Sequence, residues 1–121
     1  MSTTISHGSI LNTVKNTIGI DVQNVDFDRT LIDTINSVLM FMTQMGIGPD
    51  TGFSISSAKE KWEDFLQDIL LINIAKMYVP FKVKEMFDPP SSNVLGQALS
   101  KRIEELEIRM KTQSDYIKSN T

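Results

Sequence analysis

From Ile69 to Phe87 the sequence is more apolar than anywhere else along its length, and this run constrains the fold most. It contains Ile69, Leu70, Leu71, Ile72, Ile74 and Ala75, then Met77, Tyr78, Val79, Phe81, Val83, Met86 and Phe87. A run of 19 residues is too long for an ordinary strand, so it reads as a buried helix. Asp68 stands where an N-cap would, and Asp88-Pro89-Pro90 ends the helix firmly. Pro80 is the awkward residue. It removes one backbone hydrogen bond and crowds the carbonyl of Lys76, which predicts a kink.

The other segments carry helical spacing too. Ile10, Leu11, Val14 and Ile18 predict a short amphipathic helix closed by Gly19. Phe27, Leu31, Ile35, Val38, Met42 and Met45 follow in steps of 4, 4, 3, 4 and 3, one face over about five turns. Asn24 or Asp26 is the expected cap there. Ile32, Leu39, Met40 and Phe41 widen the apolar stripe. A helix apolar over so much of its girth is either central in a bundle or half-covered by another subunit. Residues 46–57 hold three glycines and a proline, a turn-rich loop in which Phe53 and Ile55 alternate with serines. One such piece, partly extended, cannot form a sheet alone; it pairs with a neighbouring chain or lies on the helices. Ser57 and Glu60 match a capping box and predict a helix start carrying Trp62, Phe65 and Leu66.

Beyond the two prolines, Ser91 or Ser92 can cap a last helix. Leu95, Leu99, Ile103, Leu106, Met110, Gln113 and Ile117 form its seam. Lys101–Glu105, Glu105–Arg109 and Glu107–Lys111 have the spacing of supporting ion pairs. Some 25 residues at 1.5 Å each reach about 38 Å, more than a domain this small spans, so part of this helix is expected to project. The fold class is therefore all-α: a bundle of about four to five helices in a single domain over 1–121. Residues 1–8 are expected to be flexible, and 92–118 to form the long helix or arm.

Composition removes whole classes of chemistry. There is no cysteine, hence no disulfide, thiol nucleophile or cysteine metal site. The one histidine, His7, excludes two-histidine zinc motifs within a single chain. No G-x-S-x-G elbow occurs, and the glycines of 46–52 lack the lysine of a phosphate loop. The acidic pairs Asp26/Asp28, Glu63/Asp64 and Glu104/Glu105 suit caps and surface better than general acid–base work. We therefore expect no catalytic, cofactor-binding or metal-binding residues and no cofactor. No uninterrupted apolar run approaches a membrane span, and the N-terminus lacks the pattern of a signal peptide.

Charge is uneven. Residues 1–60 hold three basic and six acidic groups, whereas 61–121 hold nine of each. The overall balance of −3 speaks against nucleic-acid groove recognition. Lys76, Lys82 and Lys84 read as a solvated edge of the apolar helix; the competing reading lines a channel or touches phosphate. Trp62 and Phe65 share one helical face, as core or as a subunit contact.

Several blocks together resemble the tailed-phage head–tail connector family, the head-completion adaptors beneath the portal. They are Ile35-Asn36-Ser37, Gln44-Met45-Gly46-Ile47-Gly48-Pro49, Gly52-Phe53-Ser54-Ile55 and Trp62-Glu63-Asp64-Phe65. Tyr78, Lys82-Val83-Lys84, Phe87-Asp88-Pro89-Pro90-Ser91 and Glu105-Leu106-Glu107 with Arg109 continue the order. The resemblance covers about residues 9–114. It implies an all-helical subunit of a ring, usually dodecameric, which docks on the portal and extends the DNA channel. Such a ring offers a surface to a stopper or tail-completion protein, and duplex DNA passes through it without sequence-specific recognition. The implied location is the virion neck, with assembly in the host cytoplasm and no membrane.

On that reading Leu99, Ile103, Leu106 and Met110 are expected to contact the portal or a neighbouring subunit. Phe53 and Ile55 are expected at the lateral contact of the ring. Truncation after Ser100 is expected to abolish docking and leave a folded core. The competing reading is a small helical adaptor or regulator that dimerises through its C-terminal seam.

Overall fold

The computed structural model describes residues 6–120. Among them the chain forms five helices and no strand, an all-α bundle. In chain order these are α1 (Ile10–Ile18), α2 (Asp28–Gln44), α3 (Trp62–Phe65), α4 (Ile69–Phe87) and α5 (Asn93–Ser119).

The ends of the helices follow local chemistry. Ser9 caps α1, its hydroxyl accepting from the Asn12 N–H at 3.1 Å. Asp68 caps α4 through the Leu71 N–H at 2.9 Å, and Ser92 caps α5 through the Leu95 N–H. Neither expected residue caps α2. Its N-cap is Phe27, and the Asn24 side chain turns instead to the Asp26 N–H. At the far end of α2, Gly46 takes a positive φ of 83°. The Gly46 N–H reaches the Thr43 carbonyl and the Ile47 N–H reaches that of Met42, which closes the last turn.

Ser57 and Glu60 meet as expected, but no helix starts on them. The Glu60 carboxylate accepts from the N–H and hydroxyl of both Ser56 and Ser57 and folds the loop into a tight turn. The helix begins later, at Trp62, where Asp64 accepts from the Lys61 N–H. A Ser-x-x-acid pattern serves either geometry, and the polar turn prevails here.

α4 is the hub. α1, α2, α3 and α5 all pack on it, which suits a helix with apolar residues around most of its girth. It runs through Pro80, itself buried, so the proline sits inside the helix without ending it. α1 and α2 are also joined by an ion pair whose lysine is buried and whose carboxylate is partly exposed. The Lys15 ammonium lies against the Asp28 carboxylate and donates to the Val22 carbonyl. A fully buried cation needs such partners.

The residues just before α1 are tied down. Ser9 and Lys61 form an antiparallel bridge, in which the Ile10 N–H donates to the Glu60 carbonyl and the Trp62 N–H to that of Gly8. The His7 N–H donates to the Glu63 carboxylate. Of the segment 1–8 expected to be flexible, His7 and Gly8 are bonded to the start of α3, and 1–5 lie outside the described residues. Trp62, fully buried, donates its indole N–H to the Thr13 hydroxyl at 3.0 Å and locks α3 to α1.

Candidate assembly interface

The surface this molecule offers to others is whatever its core leaves over. α5 settles most of that question. It lies antiparallel to α4 and is fixed to it by polar links along its length. Gln113 donates to the Asp68 carboxylate at 3.1 Å, Tyr78 to Glu107 at 2.9 Å, and Ser100 to Glu85 at 2.7 Å. Burial, then the Glu107 carboxylate, pushes the Tyr78 phenol well above its ordinary pKa, so it stays a proton donor. Burial also pushes the Glu85 carboxyl up, but the Ser100 hydroxyl and the Lys82 ammonium outweigh it and hold it below the usual value. At the end of α5, Ser114 and Lys118 both donate to the Gly46 carbonyl, at 3.2 and 2.7 Å. The cation thereby meets the negative end of α2.

Between these links the seam of α5 is core. Ile103, Leu106 and Met110 are buried in this chain, and Leu99 is half-buried against the same cluster. Three of the expected contact residues are thus already covered and Leu99 partly so, because α4 packs against the middle of α5. For the same reason truncation after Ser100 would strip the core rather than spare it. Glu107 binds Tyr78, and the ion pairs within α5 are Arg102–Glu105 and Lys111–Asp115, not the expected ones.

The loop from 46 to 57 also turns inward. Ile55 is buried, and Phe53 stacks on Phe65 with ring centroids 5.2 Å apart. Asn36 grips the loop from α2: its side-chain oxygen accepts from the Ile55 N–H at 2.8 Å, and its amide nitrogen donates to the Ile55 carbonyl at 2.9 Å. The side chain does what a neighbouring strand would do for an extended residue. Of the two arrangements open to this loop, it takes the one that lies on the helices. Gly48 lets it come close; a Cβ there would stand 2.5 Å from the Phe65 ring.

Besides Val25, Ile69 and Tyr116, three groups of large apolar side chains remain uncovered. On the outer side of α2, Met40 is 59% and Phe41 50% exposed, and the Lys82 ammonium lies 5.9 Å from the Phe41 ring centre. Along α4 and α5, Leu70, Met77 and Ile108 line an open groove of about 540 Å³ floored by Ile74 and Leu106, with Arg102 and Arg109 on its rim. The corner where α4 gives way to α5 exposes Met86, Val94 and Leu95; Phe27 meets Phe87 edge-on at the same end. Periodicity singled out the buried seam, and Ile108, two residues off it, carried no signal. Met40 and Phe41 were visible as a stripe too wide for one partner.

Among the described residues no group of three His, Asp or Glu side chains is placed to hold a metal ion, and no helix is long and apolar enough to cross a membrane. The molecule presents extended apolar surfaces. A comparison with protein families decides what kind. The family model described as phage connector protein matches residues 10–117, from the start of α1 almost to the end of α5. The chain belongs to the phage connector family. No curated protein and no solved structure matches it. Phage connector proteins are structural, so the uncovered faces of this connector are the features its role has to explain.

Proposed function

We propose that this connector protein is a subunit of the ring at the head–tail joint of a tailed phage. The ring, dodecameric in this reading, sits on the portal and extends the DNA channel. Its far side receives a stopper or tail-completion protein. The observation that carries the reading is the family match across all five helices. The uncovered apolar faces support it, since a monomeric protein has little reason to keep several of them in water. The acidic balance suits a channel wall, because phosphate contacts by free cations would hold the DNA fast. Lys82 and Lys84 are engaged with Glu85 and Asp88. In this reading the chain acts as one domain, assembles in the host cytoplasm and ends in the virion neck.

The portal contact falls to the exposed start of α5 and the corner before it, with Leu99 at the edge. Phe53, half-buried, stands in the same relation to the lateral contact. A dimer through the C-terminal seam loses its basis, because Ile103, Leu106 and Met110 are occupied within the chain. Native mass spectrometry of the protein mixed with the portal ring encoded beside it tests the proposal. Subunits bound in a fixed ratio to each portal are expected. An absence of binding at every salt concentration would sink the connector reading.

A further inference from the structure

Two connections meet at one end of the bundle. Residues 88–92 join the end of α4 to the start of α5, and residues 19–27 join the end of α1 to the start of α2. Phe27 meets Phe87 edge-on, with ring centroids 6.1 Å apart, and so brings the two together. Val25, Phe27, Met86, Val94 and Leu95 are all exposed on these segments. The 19–27 connection holds its shape through local bonds. The Gly19 and Ile20 N–H groups both return to the Lys15 carbonyl. The Asp21 carboxylate accepts from the Gln23 N–H, and the Asn24 side chain accepts from the Asp26 N–H. Among the described residues, one side-chain hydrogen bond reaches the connection from a helix. It comes from Lys15, only 1% exposed, whose ammonium donates to the Val22 carbonyl at 3.2 Å. The same ammonium meets Asp28 in the first turn of α2. An apolar side chain of similar volume often stabilises a fold as well as a buried ion pair does, so stability alone does not call for this lysine. What it supplies is position, since it joins α1, the middle of the connection and α2 at one nitrogen.

We infer that the 19–27 connection belongs to the portal contact and that Lys15 is the residue that positions it. Val25 and Phe27 continue, across Phe87, the surface that Met86, Val94 and Leu95 begin. One apolar patch is thereby assembled from three segments distant in the sequence. Contiguous exposed apolar surface marks a site that another protein covers. The inference rests on the connector reading, which sets the portal against the start of α5, and adds the connection and its buried clip.

Binding of the full chain to the portal ring is measured for a set of variants, each first checked for an unchanged circular dichroism spectrum. Val25→Ser and Val94→Ser, both on the surface and on different segments, should each weaken binding several-fold. Ile69→Ser, also exposed but at the other end of α4, should leave it unchanged. Lys15→Met is combined with Asp28→Asn, so that neither charge is left without its partner. This pair should speed amide exchange from Val22 to Val25 and weaken portal binding several-fold. Adding Val25→Ser to the pair should then cost little more, because that side chain is already out of place. A purely structural role for Lys15 would instead make the two losses multiply. Unchanged binding by Val25→Ser, or an equal loss in Ile69→Ser, would overturn the inference, and both are read without touching Lys15. Full binding by the Lys15→Met pair, or losses that multiply, would overturn the positioning role. Failure of the unaltered chain to bind portal would sink the connector reading itself, which is a different result.

Discussion

A few side chains hold positions where a single atom decides the outcome. Gly48 combines a φ of 87° with the Phe65 ring at its back. Gly48→Ala adds a methyl group to both problems and should cost about 1–3 kcal/mol, read as a lower urea midpoint. Asn36→Ala leaves the Ile55 N–H and carbonyl without their partner. A loss of about 1–3 kcal/mol is expected, with faster amide exchange at Ile55 as the specific readout. Glu60 and Glu85 make the fold acid-sensitive. Burial pushes the Glu60 carboxyl up, but the Ser56 N–H and the two serine hydroxyls outweigh it, so its folded pKa lies below its ordinary value, as does that of Glu85. For a depressed carboxylate the stabilisation is complete above the unfolded value, near 4.5, and is lost as pH falls through the folded value. Urea midpoints should therefore drop on acidification from pH 5 to pH 3, and the drop should be shallower in Glu60→Gln and Glu85→Gln.

Helices were legible where the signal was local. Asp68 and Ser92 each cap the helix that follows them, and Gly19 closes the helix before it, because capping involves only a few neighbouring residues. Where one pattern fits two structures, local reading fails. Ser57 and Glu60 make a polar turn instead of a helix start, and Asn24 makes a turn instead of a cap. The α5 seam shows the deeper limit. Spacing reveals that Leu99, Ile103, Leu106 and Met110 share an apolar face, but it cannot say whether another chain or α4 covers it. Because α4 does, Met110→Ala should destabilise the chain by about 2–5 kcal/mol. Truncation after Ser100 removes Ile103, Leu106 and Met110 together, a loss comparable to the whole stability of a small domain. The truncated chain should show no cooperative thermal transition by circular dichroism.

For the molecule as a whole, surface chemistry matters more than any cavity. With a net charge of −3 and its α4 lysines paired or half-buried, the chain should not retard duplex DNA in a gel at physiological salt. Retardation that fades as salt rises would point to a basic track along the channel. Family membership was legible from residues scattered between 9 and 114, nearly the span over which the family model matches. The uncovered faces were only half legible, since a stripe wider than one partner needs does not reveal which residues will be left outside. The order of the helices carries a consequence for synthesis. α5 leaves the ribosome after α4, yet it covers one side of α4. Translation proceeds at about 5–20 residues per second, so α4 stays bare on that side for a second or more while the 27 residues of α5 are made. Until α5 folds back, Tyr78 and its apolar neighbours on α4 stay without their partners. Any partner that the folded chain meets finds that surface already closed.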